Sequence, residues 1–168
     1  MAEPSVMDLK NCTVKFKDGA TPTPNSLTLY IDEGNLTYRV RREIEYKLNR
    51  GSLTGAAVRE GDEQPMELTI SCRFNAIRSS AGDPVTVQEF LYREGQASAY
   101  VTTGAECEPY AVDVVVEINY SCGTVVDEVV TFPDFRYEDV GGDFRAGTLE
   151  LTGRCQAVKP TSVRSNLS

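Results

Sequence analysis

The chain has 168 residues, a length that suits one domain, and 40% of them are hydrophobic, enough for a sizeable core. Its net charge is −8, from 25 acidic and 17 basic residues, which disfavours binding to the phosphates of nucleic acids. Histidine is absent, which excludes Ser-His-Asp and Cys-His catalysis and His-ligated zinc. The composition therefore argues against an enzyme, and we expect no cofactor.

The sequence also gives no sign of a membrane or export signal. No apolar run is long enough to span a bilayer. Residues 1–10 lack the charged-then-apolar pattern of a secretory signal, so we expect the protein to fold where it is made.

Alternating apolar and polar residues predict strands in the first third of the chain. The first strand covers Leu9–Lys17 and the second covers Leu27–Ile31. The alternation then runs through Asn35–Asn49, either as one strand of about 50 Å or as two strands with a kink at Arg41–Arg42.

Residues 50–65 predict a long loop, because they hold three glycines, a proline and few large apolar side chains. Loops of this size are usually functional or disordered. Alternation returns in Met66–Phe74, which predicts another strand.

One helix is predicted after residue 82. Asp83 suits its N-cap, Pro84 its first position and Gly95 its end. A stripe at helical spacing, which we expect to pack on the sheet, consists of Val87, Phe90 and Leu91.

Residues 110–120 predict the clearest strand. Apolar residues of one parity run from Tyr110 to Tyr120, whereas Asp113 and Glu117 fall on the other parity. One face therefore packs on a core, and the acidic face borders water or an interface. The residues that follow predict a turn at 121–123, a partner strand at 124–132, a loop at 133–143, a last strand at 144–155 and a flexible tail at 156–168.

Seven or eight strands and one helix predict a mainly β fold. We expect residues 1–168 to form a single domain, an antiparallel β-sandwich or partly closed barrel with one α-helix.

Three motifs resemble tail tube proteins of tailed bacteriophages: residues 107–113 (CEPYAVD), 132–138 (FPDFRYE) and 143–148 (DFRAGT). Shorter pieces at 34–38, 50–53 and 59–65 are similar too, so that the resemblance covers roughly Val14 to Gln156.

The resemblance implies a structural protein of the virion tail, without enzymatic activity, assembled in the cytoplasm of the bacterial host. Such proteins close into hexameric rings through strands that join across subunits, and the rings stack into a hollow tube. Double-stranded DNA passes through the tube during ejection without specific binding. The tail sheath and other tail proteins would be further partners.

Within this interpretation the acidic strand positions become candidates for the wall of the channel, since negative charge repels phosphates. The lumen-facing candidates are Asp113, Glu117 and Glu150. The loop at 50–65 becomes the candidate contact between stacked rings, because a flexible loop that orders on stacking would supply a head-to-tail interface. Its candidate residues are Leu53, Val58, Arg59 and Glu60.

Five scattered cysteines contain no C-x-x-C pair, which argues against a metal site. Cys72 lies on the apolar parity of its strand and predicts a small buried hydrophobe. Cys107, Cys122 and Cys155 are candidates for disulfides between subunits, although a reducing cytoplasm favours free thiols.

Three other functions compete with a tube subunit. The first is a tail terminator or completion protein, which stops at one ring. The second is a β-sandwich binding module of a tail baseplate, although such modules usually expose loop aromatics and this chain has no Trp. The third is an enzyme with paired carboxylates at Asp62–Glu63 or Glu106–Glu108, which has little support because adjacent acids in loops are usually only solvated.

Overall fold

The computed structural model describes residues 12–29, 31, 36–73, 85–119 and 126–165. Within these ranges the chain forms ten strands, one α-helix, α1 (Val87–Tyr92), and a 3-10 turn at Gly95–Ala97. No helix in the described ranges has the length and apolar character needed to cross a bilayer. The strands are β1 (Cys12–Lys17), β2 (Ser26–Leu29), β3 (Leu36–Arg39), β4 (Ile44–Asn49), β5 (Ser52–Glu60), β6 (Met66–Arg73), β7 (Val112–Ile118), β8 (Glu128–Asp143), β9 (Thr148–Cys155) and β10 (Thr161–Arg164).

Eight of these strands form one antiparallel sheet in the order β2-β1-β7-β8-β9-β6-β3, with β10 paired to β8. Strand β8 belongs to both halves of this sheet. Its residues 128–135 pair with β7, and its residues 135–143 pair with β9. The register against β7 shifts opposite Pro133 and Asp134, and Asp134 has a φ of 52°. The strand therefore bends here and carries the chain from one half to the other.

A contact between Tyr38 and Phe132 shows that the sheet folds back on itself. Their ring centroids lie 5.2 Å apart, although β6 and β9 separate β3 from β8 in the sheet order. The predicted mainly antiparallel, sandwich-like β fold is confirmed, and the sheet is not closed into a barrel. The two halves enclose a core whose fully buried large side chains include Phe16, Met66, Leu68, Ile70, Val112, Val114, Phe132, Phe135, Leu149 and Leu151.

Helix α1 closes one side of this core. The predicted stripe of Val87, Phe90 and Leu91 is buried, and the Phe90 ring lies 5.8 Å from the ring of Phe16 on β1. This packing confirms the prediction of a helix on the sheet.

The ends of the helix differ from the prediction. Thr86, not Asp83, is the N-cap: the Thr86 hydroxyl accepts from the Glu89 N–H at 3.1 Å, and the Glu89 carboxylate accepts from the Thr86 N–H at 3.2 Å. Asp83 and Pro84 lie outside the described residues. At the other end Arg93, with a φ of 57°, takes the left-handed position that the sequence assigned to Gly95.

Residues 50–65 do not form the predicted loop. Strand β5 occupies Ser52–Glu60 and pairs with β4, so the alternation before Asn49 belongs to two strands, β3 and β4, as the kinked alternative predicted. The turn is Arg50-Gly51, with φ values of 50° and 79°, the left-handed pair that suits the twist of a hairpin. Gly55, with a φ of 73°, lies in the part of β5 where the register shifts.

Two predictions near the carboxyl end are also wrong. Residues 133–143 continue β8 past its bend instead of forming a loop. The described part of the predicted tail, residues 156–165, is not free, because β10 pairs with β8 along residues 161–164; residues 166–168 lie outside the described residues. The Ser165 hydroxyl donates to the Val126 carbonyl at 2.6 Å and so extends this anchoring by one residue.

The packing of this core predicts that Phe132→Ala is strongly destabilising. Phe132 is 1% exposed and joins the two halves, so we expect a loss of about 3–5 kcal/mol in the free energy of unfolding, measured by chemical denaturation. Val163→Ala, at a side chain that is 62% exposed, is the matched control and should change stability by about 0.5 kcal/mol at most. Equal effects of the two substitutions would contradict the described core.

Candidate functional site

The most distinctive surface feature is the hairpin of β4 and β5, here called the arm (Ile44–Glu60). It forms a two-stranded sheet of its own, separate from the eight-stranded sheet. An ion pair between Arg59 and the Glu45 carboxylate joins its two strands, and a second pair joins Glu60 to Arg42, just before the arm. At its base the Gly61 N–H donates to the Glu43 carbonyl at 2.9 Å.

The arm exposes apolar side chains that a folded domain usually covers. Tyr46 and Val58 are register partners and are 56% and 59% exposed, while Leu53 is 72% exposed. An isolated two-stranded hairpin is at best marginally stable in water, and a contiguous exposed apolar surface marks an interaction site. The arm is therefore the candidate surface for contact with another protein chain.

The four residues predicted to contact a neighbouring ring all lie on this arm. Leu53 and Val58 are exposed and available for contact. Arg59 and Glu60 instead engage Glu45 and Arg42 within and beside the arm. The contact with another ring stays a prediction.

Asp113 and Glu117, two of the lumen-facing candidates, share the outer face of β7, with Val115 between them. Both are half-buried, and cations of β1 lie opposite them. Lys15 Nζ lies 3.1 Å from Glu117 Oε2, and Lys17 is the register partner of Asp113. This face therefore carries mixed charge, not a purely acidic one.

Asp113 also has a structural contact at the bend of β8. Its Oδ1 accepts the backbone N–H of Asp134 at 3.0 Å. Burial raises the pKa of the Asp113 carboxyl above its ordinary value of 3.8, and the hydrogen bond from Asp134 opposes part of that rise.

Glu150, the third lumen-facing candidate, lies elsewhere. It is exposed on β9, where its register partners are Ser71 on β6 and Gly141 on β8. Because the two halves of the sheet pack with their inner faces together, this outer face points away from the one that holds Asp113 and Glu117. One subunit therefore presents Glu150 on a different face from Asp113 and Glu117, and the lumen-facing role of each acid stays a prediction.

The cysteines proposed for disulfides between subunits differ in access. Cys107 is exposed, and Cys122 lies outside the described residues. Cys155 is buried on β9, and burial, with Asp113 and Asp134 nearby, raises the pKa of its thiol to about 12. A disulfide at Cys155 would therefore require the core to open. Cys72 is buried as predicted, and burial raises the pKa of its thiol to about 11.

The carboxylates considered for acid–base chemistry lie beside cations. Asp62 and Glu63 line an open cleft of about 510 Å³ at the base of the arm, beside Arg41 and Arg42. Glu108 is engaged by Arg136, whose Nη2 lies 2.7 Å from its Oε2. Among the residues that the structure describes, no three His, Cys, Asp or Glu side chains are grouped as a metal site.

The comparisons with known proteins identify similar folds but no family: no family model matches the chain, and neither does any curated protein. A chain of the PVC sheath/tube terminator, from an extracellular contractile injection system in its extended state, is similar with a TM-score of 0.60 and 7% identity over 96% of this chain and 99% of that one. A chain of the tube-terminating cap of the anti-feeding prophage gives a TM-score of 0.59 and 10% identity over 98% of this chain and 95% of that one. A chain of the baseplate of the same prophage gives a TM-score of 0.53 and 17% identity over 99% of this chain and 100% of that one. The protein thus shares its fold with structural components of phage-tail-like injection particles.

The raised pKa of Asp113 predicts a pH-dependent effect of its replacement. A folded-state pKa above the unfolded one means that this carboxyl supports the fold below about pH 3.8 and that the support is lost as pH rises through the folded-state pKa. Asp113→Asn removes the ionising group and keeps an oxygen for the Asp134 N–H. We expect the free energy of unfolding of the variant, relative to wild type, to increase between about pH 3.5 and pH 7.

The neighbouring Val115→Ala is the control for this measurement. Val115 lies on the same strand and face but cannot ionise, so its effect on denaturation should be the same at both pH values. A difference for Asp113→Asn that stays constant or falls with pH would contradict the assigned environment.

Proposed function

We propose that the protein is a structural component of a phage-tail-like particle, placed at the end of the tube as a terminator or cap. The observation that carries the proposal is the shared fold with chains of two tube-terminating assemblies, matched over nearly the whole length of each. The exposed arm supports it, because a capping subunit needs a surface that engages the tube or its sheath. The role is mechanical and needs no catalytic group.

A second candidate is the repeated tube subunit, which would form hexameric rings stacked into a DNA-conducting tube. The motifs at 107–113, 132–138 and 143–148, which resemble tail tube proteins, favour it. In either case the partners are copies of this chain, tube and sheath proteins, and the site of action is the assembled particle.

Deleting the gene in cells that make the particle separates the two candidates. Loss of a terminator removes the stop to polymerisation, so we expect tubes of uncontrolled length by negative-stain electron microscopy. Loss of the tube subunit should abolish tubes altogether. Gold labelling of a tagged chain gives an independent result: label confined to one tube end supports the terminator, and label along the tube contradicts it.

The arm should contribute to assembly more than to folding. Leu53→Ser with Val58→Ser replaces exposed apolar side chains, so we expect the free energy of unfolding to change by about 0.5 kcal/mol per site at most. Incorporation into particles, measured by blotting of purified tails, should fall severalfold. The control is Val163→Ser, equally exposed but on β10, which should be incorporated normally.

A further inference from the structure

The arm and the β8–β9 turn lie at opposite ends of one half of the sheet. The arm is inserted between β3 and β6, at the end where Met66 pairs with Cys155 and Cys155 pairs with Phe135. At the far end Arg73 pairs with Thr148, and Thr148 pairs with Asp143. The half therefore has an arm end and a turn end.

The distal part of the arm is basic on an otherwise acidic chain. Residues 46–58 contain two cations, Lys47 and Arg50, and no acid. Neither cation forms an ion pair with another described residue, unlike Arg42 and Arg59 nearer the base. The exposed Leu48 and Leu53 lie beside them, so the tip combines positive charge with apolar surface.

The stretch of β8 and its turn at residues 138–147, here called the turn segment, has the opposite character. It runs from Asp139, opposite Thr152 in the middle of β9, to Asp143, opposite Thr148 at the turn end. Residues 138–147 contain three acids, Glu138, Asp139 and Asp143, against one cation, Arg145. Glu138 is engaged by Arg154 at 2.7 Å, whereas Asp139 and Asp143 form no ion pair with a described residue. Asp143 Oδ1 accepts the backbone N–H groups of residues 145 and 146 at 2.9 and 3.3 Å, which orders the turn.

An exposed aromatic accompanies these acids. Phe144, in the turn itself, is 89% exposed, the highest exposure among the large hydrophobic side chains of the described residues. The turn segment therefore combines negative charge along β8 with an apolar side chain in the turn, the complement of the arm tip.

We propose that the arm tip of one copy docks on the turn segment of a second copy, through Lys47 and Arg50 against Asp139 and Asp143, with the apolar side chains packed between them. This inference rests on the assembly role proposed above and names its partner surface. The contact is heterologous, because the two surfaces are different parts of the chain; it closes a ring where the rotation permits and otherwise builds a filament. Complementary charge steers the encounter, and the covered apolar surface stabilises the arm.

Two charge-reversed variants test the contact in the full-length chain. The first, Lys47→Glu with Arg50→Glu, makes the arm acidic. The second, Asp139→Lys with Asp143→Asn, makes the turn segment basic and keeps a side-chain oxygen for the turn. By sedimentation velocity at low salt we expect each variant alone to self-associate about tenfold or more weakly than wild type, because like charges now face each other.

A mixture of the two variants gives the sharpest result. The acidic arm of the first fits the basic turn of the second, and the unchanged arm of the second fits the unchanged turn of the first. Equimolar mixing should therefore restore association. The control, Arg39→Glu with Lys159→Glu, changes the net charge as much as the first variant but alters exposed cations outside the arm, and it should associate as wild type does.

Three outcomes would overturn the inference: a wild-type chain that stays monomeric at all accessible concentrations, a first variant that associates normally, or a mixture that stays dissociated. A first variant that associates normally but no longer binds vesicles of anionic lipid would likewise assign the arm to a membrane instead. Closed rings and open filaments both support the contact. Absence of the chain from purified particles would refute the proposed function and leave the contact standing.

Discussion

The bend in β8 is the constraint on which the rest of the fold depends. Phe135 lies at the bend and pairs with Val112 of one half and Cys155 of the other, so that one residue fixes the register of both. On the neighbouring strand Gly153 makes the bend possible, because a Cβ there would lie 2.1 Å from the Arg136 carbonyl oxygen. Asp113 accepts the Asp134 N–H at the same place and holds the strained residue in position.

This arrangement changes the meaning of the acidic residues on β7. A half-buried aspartate that accepts a hydrogen bond at a bend has a structural contact, whatever its surroundings in an assembly. Glu117 is similarly tied to Lys15 on the adjacent strand. The net charge of −8 therefore does not accumulate on the face where alternation first suggested it. Part of it lies along the second half of β8, where Asp139 and Asp143 are exposed and form no ion pair with a described residue.

Sequence patterns predicted the fold where alternation is strict and failed where glycine and proline interrupt it. Alternation located β6, β7 and β9 because buried and exposed positions differ strongly in those strands. Glycine signals a loop when its neighbours are considered alone, but Gly51 and Gly55 supply the positive φ of a tight turn and of a register shift inside a hairpin. The arm could have been found from Asn49-Arg50-Gly51 between alternating segments. The position of Glu150 and Asp113 on opposite outer faces could not have been found from the sequence, because it depends on the bend in β8.

The free edges of the sheet limit how copies of this chain can join. Strands β2 and β3 end the sheet with four residues each, and Pro22 and Pro24 precede β2 in the sequence, so these edges offer few main-chain partners to another copy. The second half of β8 presents a longer edge, since within the described residues 136–143 pair only with β9. Acidic side chains along it, Glu138, Asp139 and Asp143, oppose indiscriminate strand pairing. The same acidic side chains attract a cationic segment. The charges that oppose indiscriminate strand pairing at this edge therefore also favour a cationic partner there.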